Sequence, residues 1–428
     1  MILSRNMHKF YLTNNIGGGG TNVSRFVDYS QLFSMGNVGL LLNYYYLTLR
    51  CKPAFDTKVV KRITESSTIS DFINWAREQF KLSRSVWEGF DQTSDNVSIN
   101  GFLLDNGCGN LVRNMINSGG FTEELMSSEI EPFHDFAEKM SFDIAIAFDY
   151  AKKYTYKAGE TLDEELQELW DQLTTDKCIN LKLSKLTLEI LKKNDYSHKV
   201  YAPIHGYDFN SFVSYFNDII SAEKQVGKQF DGFALGGIAS TKDLNNDIWH
   251  VPKEAQKKSI KGGWLVSKLT QEICKRTEKP VHILGAGNIY TLPFMINAGA
   301  SSSDCHSAWR RSSDGGFEKA KILIPLLDKD LNFMNDNRSL EYVKVQDAVK
   351  GGYNFDVDID LISKLYQQQG VDKEAFYCGE ILTFYSAMVQ YDRIIRYCEQ
   401  NPDYIAKLCK TPDAKFSADY RILADLLL

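Results

Sequence analysis

The chain has 428 residues, of which 43% are hydrophobic and 24% are charged, and its formal net charge is −6. This composition is ordinary for a globular protein, and the negative charge argues against a wholly basic nucleic-acid coat protein, although a local basic surface stays open. No run approaches the length of a membrane span, and the N-terminus lacks an apolar core of signal-peptide length, so we expect a cytoplasmic protein without membrane contact. The eight cysteines form no CxxC pair, which disfavours both disulfides and a structural zinc.

Short apolar or β-branched runs predict buried strands, and helix-like stretches lie between them. The predicted strands are residues 38–47, 101–104, 143–148, 199–204, 232–235, 281–284 and 300–303. The predicted helices are residues 69–82, 122–140, 162–173, 181–193, 209–226 and 261–276. Strands that alternate with helices indicate a parallel sheet, and this number of units favours a TIM (β/α)8 barrel. An open doubly wound sheet is disfavoured because no GxGxxG follows a first strand.

Three parts are predicted along the chain. Residues 1–30 form an N-terminal arm, residues 31–316 form the (β/α)8 barrel catalytic domain, and residues 317–428 hold the last barrel element plus a helical C-terminal extension. The glycine run at residues 17–20 favours a loop over a phosphate site, because no Lys-Ser/Thr follows it. The extension either packs against the barrel or clamps nucleic acid.

Several predicted strands end in polar groups or glycines. These ends carry Asp105-Asn106, Asp149, His205, Gly236-Gly237 and, about twenty residues after Leu284, Asp304. The carboxyl ends of barrel strands meet at one face, which is where barrel enzymes do chemistry. A carboxylate placed there has its orientation and pKa set by a rigid scaffold.

Each strand end also has a structural alternative. Asp105 can start a turn, Asp149 can cap a helix, and His205 can be a satisfied buried histidine. Gly236 and Gly237 can simply permit a tight passage into a loop. Singly, these alternatives are favoured, but the ordered set together with Asp304 favours one shared site.

The ordered set resembles the motifs of the tRNA-guanine transglycosylases and their relatives, the 7-deazaguanine DNA transglycosylases, over residues 101–311. The segment with Asp105 and Asn106 is similar to the family turn Thr-Asp-Ser-Gly-Gly, whose Asp is the general acid and base. Phe148-Asp149 is similar to Phe-Asp-Glu, whose Asp reads the purine edge. His205 stands in place of the base-contacting Gln of Val-Gln-Gly-Gly.

The second half of the resemblance contains the nucleophile. Gly236-Gly237 resembles Ala-Val/Ile-Gly-Gly-Leu, whose backbone contacts the base, and Leu284 begins a segment similar to Met-Gly-Val-Gly. Asp304 is similar to the nucleophilic Asp of Phe-Asp-Cys. Arg310 falls at the place of the Arg in Pro-Thr-Arg, where it is expected to contact a phosphate or to help keep Asp304 ionised.

The chain departs from the family in three places. The Cys-x-Cys-x-x-Cys zinc site with a later His, which the tRNA enzymes carry after the nucleophile, has no counterpart here. Gly109 replaces the aromatic residue that stacks on the base, and the loop after Gly237 is longer. These departures indicate a divergent branch, and we expect DNA rather than tRNA as the substrate.

The resemblance implies a pentosyltransferase that replaces guanine in nucleic acid with a 7-deazaguanine such as preQ0, through a covalent Asp304 intermediate and with no metal or cofactor. A helper protein or a homodimer stays open. Three alternatives also stay open: a tRNA-guanine transglycosylase without zinc, a non-catalytic nucleic-acid-binding partner subunit, and an unrelated barrel glycosidase with two carboxylates. The presence of both Asp105 and Asp304 disfavours the partner subunit.

Overall fold

The computed structural model describes residues 8–14, 38–47, 65–71, 101–107, 123–149, 179–238, 245–305, 321–334, 339–344, 347, 373–410 and 414–428. Its centre is a closed barrel of eight strands in the order β1 to β8, all paired in parallel, with β8 closing onto β1. The strands are β1 (Lys9–Asn14), β2 (Val38–Asn43), β3 (Phe102–Asp105), β4 (Ile144–Ile146), β5 (Lys199–Ile204), β6 (Gly232–Leu235), β7 (Val281–Ile283) and β8 (Ser302–Cys305). The predicted TIM (β/α)8 barrel is confirmed.

The first strand lies inside the segment that the sequence predicted as an arm. Strand β1 pairs with β2 through Phe10↔Val38 and with β8 through Tyr11↔Asp304, so residues 9–14 belong to the barrel. Both faces of β1 are covered, and a strand of this kind lacks the clean polar and apolar alternation that marks a half-buried strand. The rest of the predicted arm after β1, residues 15–30, lies outside the described residues.

Helices alternate with the strands on the outside of the barrel. They are α1 (Tyr44–Leu47), α2 (Glu123–Lys139), α3 (Ile179–Lys193), α4 (Phe209–Val226), α5 (Lys258–Cys274) and α6 (Leu292–Ala298). The start of α4 is set by Asp208 and Ser211, which form a capping box, and its end by Gly227 in the left-handed region at φ 74°. The predicted helix at 162–173 and most of the one at 69–82 lie outside the described residues.

Side chains alternate between the two faces of each barrel strand. The odd-numbered positions of β1 to β3 point into the barrel, where Tyr11, Leu41 and Leu103 pack together with residues of the later strands. Phe10, Leu40 and Leu104 point outward and belong to the large core between the barrel and its helices. The interior is therefore a packed core below the C-terminal rim.

In the C-terminal part, the described residues form a small sheet and three helices. Strands β9 (Lys321–Leu323) and β10 (Tyr342–Lys344) pair antiparallel, and α7 (Lys373–Gln400), α8 (Tyr404–Leu408) and α9 (Ala414–Leu427) follow. The small sheet was not part of the predicted helical extension, because three-residue strands are too short to show a period. Tyr391 of α7 stacks on Phe10 with 3.8 Å between ring centroids, and its hydroxyl donates to the Gly287 carbonyl at 2.9 Å. The helix α7 therefore packs against the barrel wall.

Candidate active site

The predicted site residues meet at the C-terminal end of the barrel. Those within the described part of the chain are Asp105, Asn106, Asp149, His205, Gly236, Gly237, Leu284 and Asp304. Arg310 lies outside the described residues. Because the strands are parallel and paired in register around a closed barrel, residues that are far apart in sequence come to one rim.

Asp304 lies within β8 and is held by donors on both carboxylate oxygens. Its Oδ1 accepts the backbone N–H of Gly285 at 2.8 Å and His282 Nε2 at 3.2 Å, and its Oδ2 accepts the Thr13 hydroxyl at 2.7 Å. The residue is only 4% exposed. These three donors fix the orientation of the carboxylate. Hydrogen-bond donors of this kind stabilise the ionised form of an acidic side chain.

The two oxygens of Asp304 differ in their remaining capacity. A carboxylate oxygen offers two lone-pair sites, and Oδ1 uses both for Gly285 and His282. Within the described part of the chain, Oδ2 has one donor, Thr13. Oδ2 is therefore the oxygen that retains a lone pair for a new bond.

The glycines after β7 make this arrangement sterically feasible. Gly285 has φ of 67°, in the left-handed region, which turns its N–H towards Asp304. Gly287 donates its N–H to the Asp304 carbonyl at 2.8 Å, and a Cβ on Gly287 would lie 2.8 Å from that same oxygen. The Gly-Ala-Gly turn is thus needed for the close approach of the β7 loop to β8.

Asp105, the last residue of β3, has a different electrostatic environment. Burial, followed by the negative charges of Asp149 and Asp304, raises the pKa of Asp105 from 3.8 to about 7. Hydrogen bonds from the Gly107 backbone and from Asn43 Nδ2, the latter at 2.8 Å, act in the opposite direction and only partly offset the rise. A carboxyl group with a pKa near neutrality can both donate and accept a proton.

Asp149 and His205 form a buried pair beside Asp105. His205 Nε2 hydrogen-bonds Asp149 Oδ2 at 2.5 Å, and Asn106 Nδ2 donates to Asp149 Oδ1 at 2.9 Å. Asn106 also donates to the Ala147 carbonyl at 2.6 Å. Asn106 was predicted to bind substrate, and the structure places its amide on the strand end and on Asp149, where it orients the carboxylate.

Gly236, Gly237 and Leu284 complete the rim next to His205. A Cβ on Gly236 would lie 2.6 Å from His205 Cε1, so only glycine permits this contact with the imidazole ring. The N–H of Gly236 is used by the Ile204 carbonyl at 3.0 Å. Among the described residues, the N–H of Gly237 has no acceptor. Of the two amides that were predicted to contact a ligand, that of Gly237 is therefore the one that can still donate a hydrogen bond.

Three polar residues of this site were not predicted. Thr13 and His282 hold Asp304, and Asn43 holds Asp105. Thr13 falls in the segment predicted as an arm, and Asn43 and His282 fall inside predicted strands rather than at their ends. In the sequence, each of these residues is a single polar residue within an apolar strand. That pattern is equally typical of a polar residue with a buried structural role.

Within the described ranges, no group of three or more His, Cys, Asp or Glu residues is arranged to hold a metal ion. The helices that the structure describes include none that is both long enough and apolar enough to cross a membrane. The groups that the described residues bring to the rim include carboxyl groups, the imidazoles of His205 and His282, and backbone amides. One carboxylate is fixed by three donors, and a second carboxyl group has a pKa near neutrality.

The sequence matches no protein-family model and no curated protein.

Proposed function

We propose that this protein is a base-exchange transglycosylase that replaces guanine in DNA with a 7-deazaguanine such as preQ0. The observation that carries the proposal is the contrast between two carboxyl groups at one barrel rim. Asp304 is held by three donors, whereas the pKa of Asp105 is raised to about 7. A double displacement at a sugar carbon needs one carboxylate that attacks and a second carboxyl group that transfers protons, in different environments.

In the first half-reaction, Asp304 Oδ2 attacks C1′ of the deoxyribose. The C1′–N9 bond breaks, its electron pair stays with the guanine, and the carboxyl proton of Asp105 neutralises the departing base. The product is a glycosyl ester on Asp304.

In the second half-reaction, the incoming 7-deazaguanine gives its N9 proton to the Asp105 carboxylate and attacks C1′. The C1′–Oδ2 bond breaks and its electron pair returns to Asp304. Two inversions at C1′ give net retention, as in a retaining glycosidase. Asp105 ends the cycle protonated, so no other proton donor is required.

Recognition of the base is assigned to the opposite side of the rim. Asp149 and His205 hydrogen-bond the purine edge, and the Gly237 N–H donates to the exocyclic oxygen. Leu284 lies beside Gly236 and gives the flat base an apolar neighbour. The target base must leave its stack, which costs a few kcal/mol for a paired base, so single-stranded or distorted DNA is the easier substrate.

The choice of DNA over tRNA depends on the sequence. No Cys-x-Cys-x-x-Cys motif follows Asp304, whereas the tRNA enzymes that the chain resembles carry their zinc ligands there. A tRNA enzyme without zinc uses the same chemistry, so the substrate must be tested directly.

The test is exchange of radiolabelled guanine into polymer. The purified protein is incubated with labelled guanine and, separately, duplex DNA, single-stranded DNA and bulk tRNA, and the label retained in the polymer is counted. We expect label in DNA for the wild type, none for Asp304→Ala, and wild-type incorporation for the control Asp195→Ala. Asp195 is exposed and precedes β5, at the opposite end of the barrel.

Each result has a distinct meaning. Label in tRNA alone supports the exchange reaction and contradicts the choice of DNA as the substrate. A fully active Asp304→Ala protein overturns the mechanism. No incorporation into any polymer, with folded wild-type protein, contradicts the exchange activity and favours a binding role.

A further inference from the structure

His282 lies directly behind the proposed nucleophile. It is the central residue of β7, it is completely buried, and its ring faces into the barrel edge-on to Tyr11 with 5.9 Å between centroids. Its Nε2 contacts Asp304 Oδ1 at 3.2 Å, and its Nδ1 contacts the Ser302 hydroxyl at 2.8 Å. A histidine at this position can affect the reaction through its contact with Asp304.

The contact with Asp304 places a hydrogen on Nε2 of the ring. A carboxylate accepts only, so Nε2 must carry the hydrogen that it donates to Asp304. The Ser302 hydroxyl can rotate to donate to Nδ1, and this satisfies both ring nitrogens of a neutral imidazole. Ser302 therefore holds the ring in the tautomer that presents a donor to Asp304.

The bond goes to the oxygen of Asp304 that is not expected to attack. Oδ2 retains a lone pair and forms the ester, so Oδ1 becomes the ester carbonyl oxygen, with donors from His282 and from the Gly285 N–H. When the C1′–Oδ2 bond breaks again, negative charge returns to the carboxylate and is shared with Oδ1. Donors that are already aimed at developing charge lower the barrier of such a step.

We propose that His282, oriented by Ser302, is a positioning residue that stabilises the Asp304 carboxylate as it leaves the sugar in the second half-reaction. This inference rests on the proposed function. It assigns His282 to release of the covalent intermediate rather than to its formation. The same donor makes the free carboxylate a weaker nucleophile, so its loss should slow the second step without slowing the first.

The test compares His282→Leu with His282→Gln. Leucine fills a similar volume without a donor, whereas the amide nitrogen of glutamine can take the place of Nε2. Each variant is incubated with guanine-containing DNA and excess preQ0. The rate of base exchange is measured beside the fraction of protein that runs as an adduct with DNA on a denaturing gel, and thermal melting shows that each variant is folded.

For His282→Leu we expect exchange to fall about 10- to 100-fold while the adduct fraction rises above that of the wild type. For His282→Gln we expect exchange to return to within about threefold of the wild type. A purely structural histidine gives a different pattern, in which adduct and exchange fall together. That pattern, or a His282→Leu protein indistinguishable from the wild type, overturns the proposal.

Ser302→Ala covers the case in which His282→Leu fails to fold. It removes one hydroxyl and should shift adduct and exchange in the same directions by a smaller factor, and no change in either overturns the role of Ser302 and His282. If the wild type forms the adduct and exchanges base but the variants do not show the changes expected above, only this inference is refuted. A folded wild type with neither adduct nor exchange refutes the proposed function and this role with it.

Discussion

Ionisation of Asp105 should destabilise the fold, and the substitution Asp105→Asn measures this effect. An exposed aspartate has a pKa of 3.8, whereas burial and the charges of Asp149 and Asp304 raise the pKa of Asp105 to about 7. The folded protein therefore binds this proton more tightly than the unfolded chain does. The resulting stabilisation is complete below pH 3.8 and is lost as the pH rises through about 7.

The magnitude follows from linkage. The loss is about 2 kcal/mol at pH 5 and about 4 kcal/mol at pH 8, because each pKa unit corresponds to about 1.4 kcal/mol. Asparagine keeps an oxygen that can accept the Asn43 hydrogen bond and carries no charge. The free energy of unfolding of Asp105→Asn relative to the wild type should therefore rise by about 2 to 3 kcal/mol between pH 5 and pH 8.

The assay is urea-induced unfolding followed by tryptophan fluorescence at both pH values. Effects of the substitution that do not depend on ionisation cancel in the comparison between the two pH values. The matched control is Asp195→Asn, which changes an exposed carboxylate and should give the same difference at pH 5 and pH 8. If Asp105→Asn also gives equal differences at both pH values, the electrostatic account of Asp105 is refuted.

The remaining predictions concern rate, binding and the C-terminal helix. Formation of the covalent adduct should slow roughly tenfold per pH unit above about 7, because Asp105 must be protonated to release guanine. Asn43→Leu should move the midpoint of this pH dependence to higher pH, because the hydrogen bond from Asn43 lowers the Asp105 pKa. Gly236→Ala should raise the KM for the base by about tenfold, since the new Cβ displaces the His205 ring. Tyr391→Phe removes the hydrogen bond from the hydroxyl on α7 to the Gly287 carbonyl and should destabilise the protein by about 1 kcal/mol in urea unfolding. An unchanged pH midpoint, an unchanged KM or an unchanged stability would contradict the respective prediction.

The sequence was sufficient for the barrel and for most of the rim. Alternation of strands and helices predicts parallel strands, and parallel strands bring their carboxyl ends to one face, so Asp105, Asp149, His205 and Asp304 could be grouped without coordinates. The strands β3, β5 and β6 fall within a residue of the predicted ranges. The grouping depends on topology alone and tolerates small errors in strand boundaries.

The supporting residues could not be predicted because they depend on register. Tyr11 pairs with Asp304 across β1 and β8, which places Thr13 two residues further along the same inward face. Asn43 pairs with Asp105 in the same way. Register is a tertiary property, and a one-residue shift would turn each of these side chains outward. Thr13 belongs to β1, so its role follows only once β1 is placed in the barrel.

If Asp304 carries the sugar during exchange, the covalent adduct should map to Asp304. The protein is denatured during turnover with DNA, the DNA is digested with nuclease, and the peptides are analysed by mass spectrometry. We expect a deoxyribose-containing remnant on the peptide that spans residue 304, and none for Asp304→Asn. Base exchange with no adduct, or with the remnant on the Asp105 peptide, would show that Asp304 is not the nucleophile.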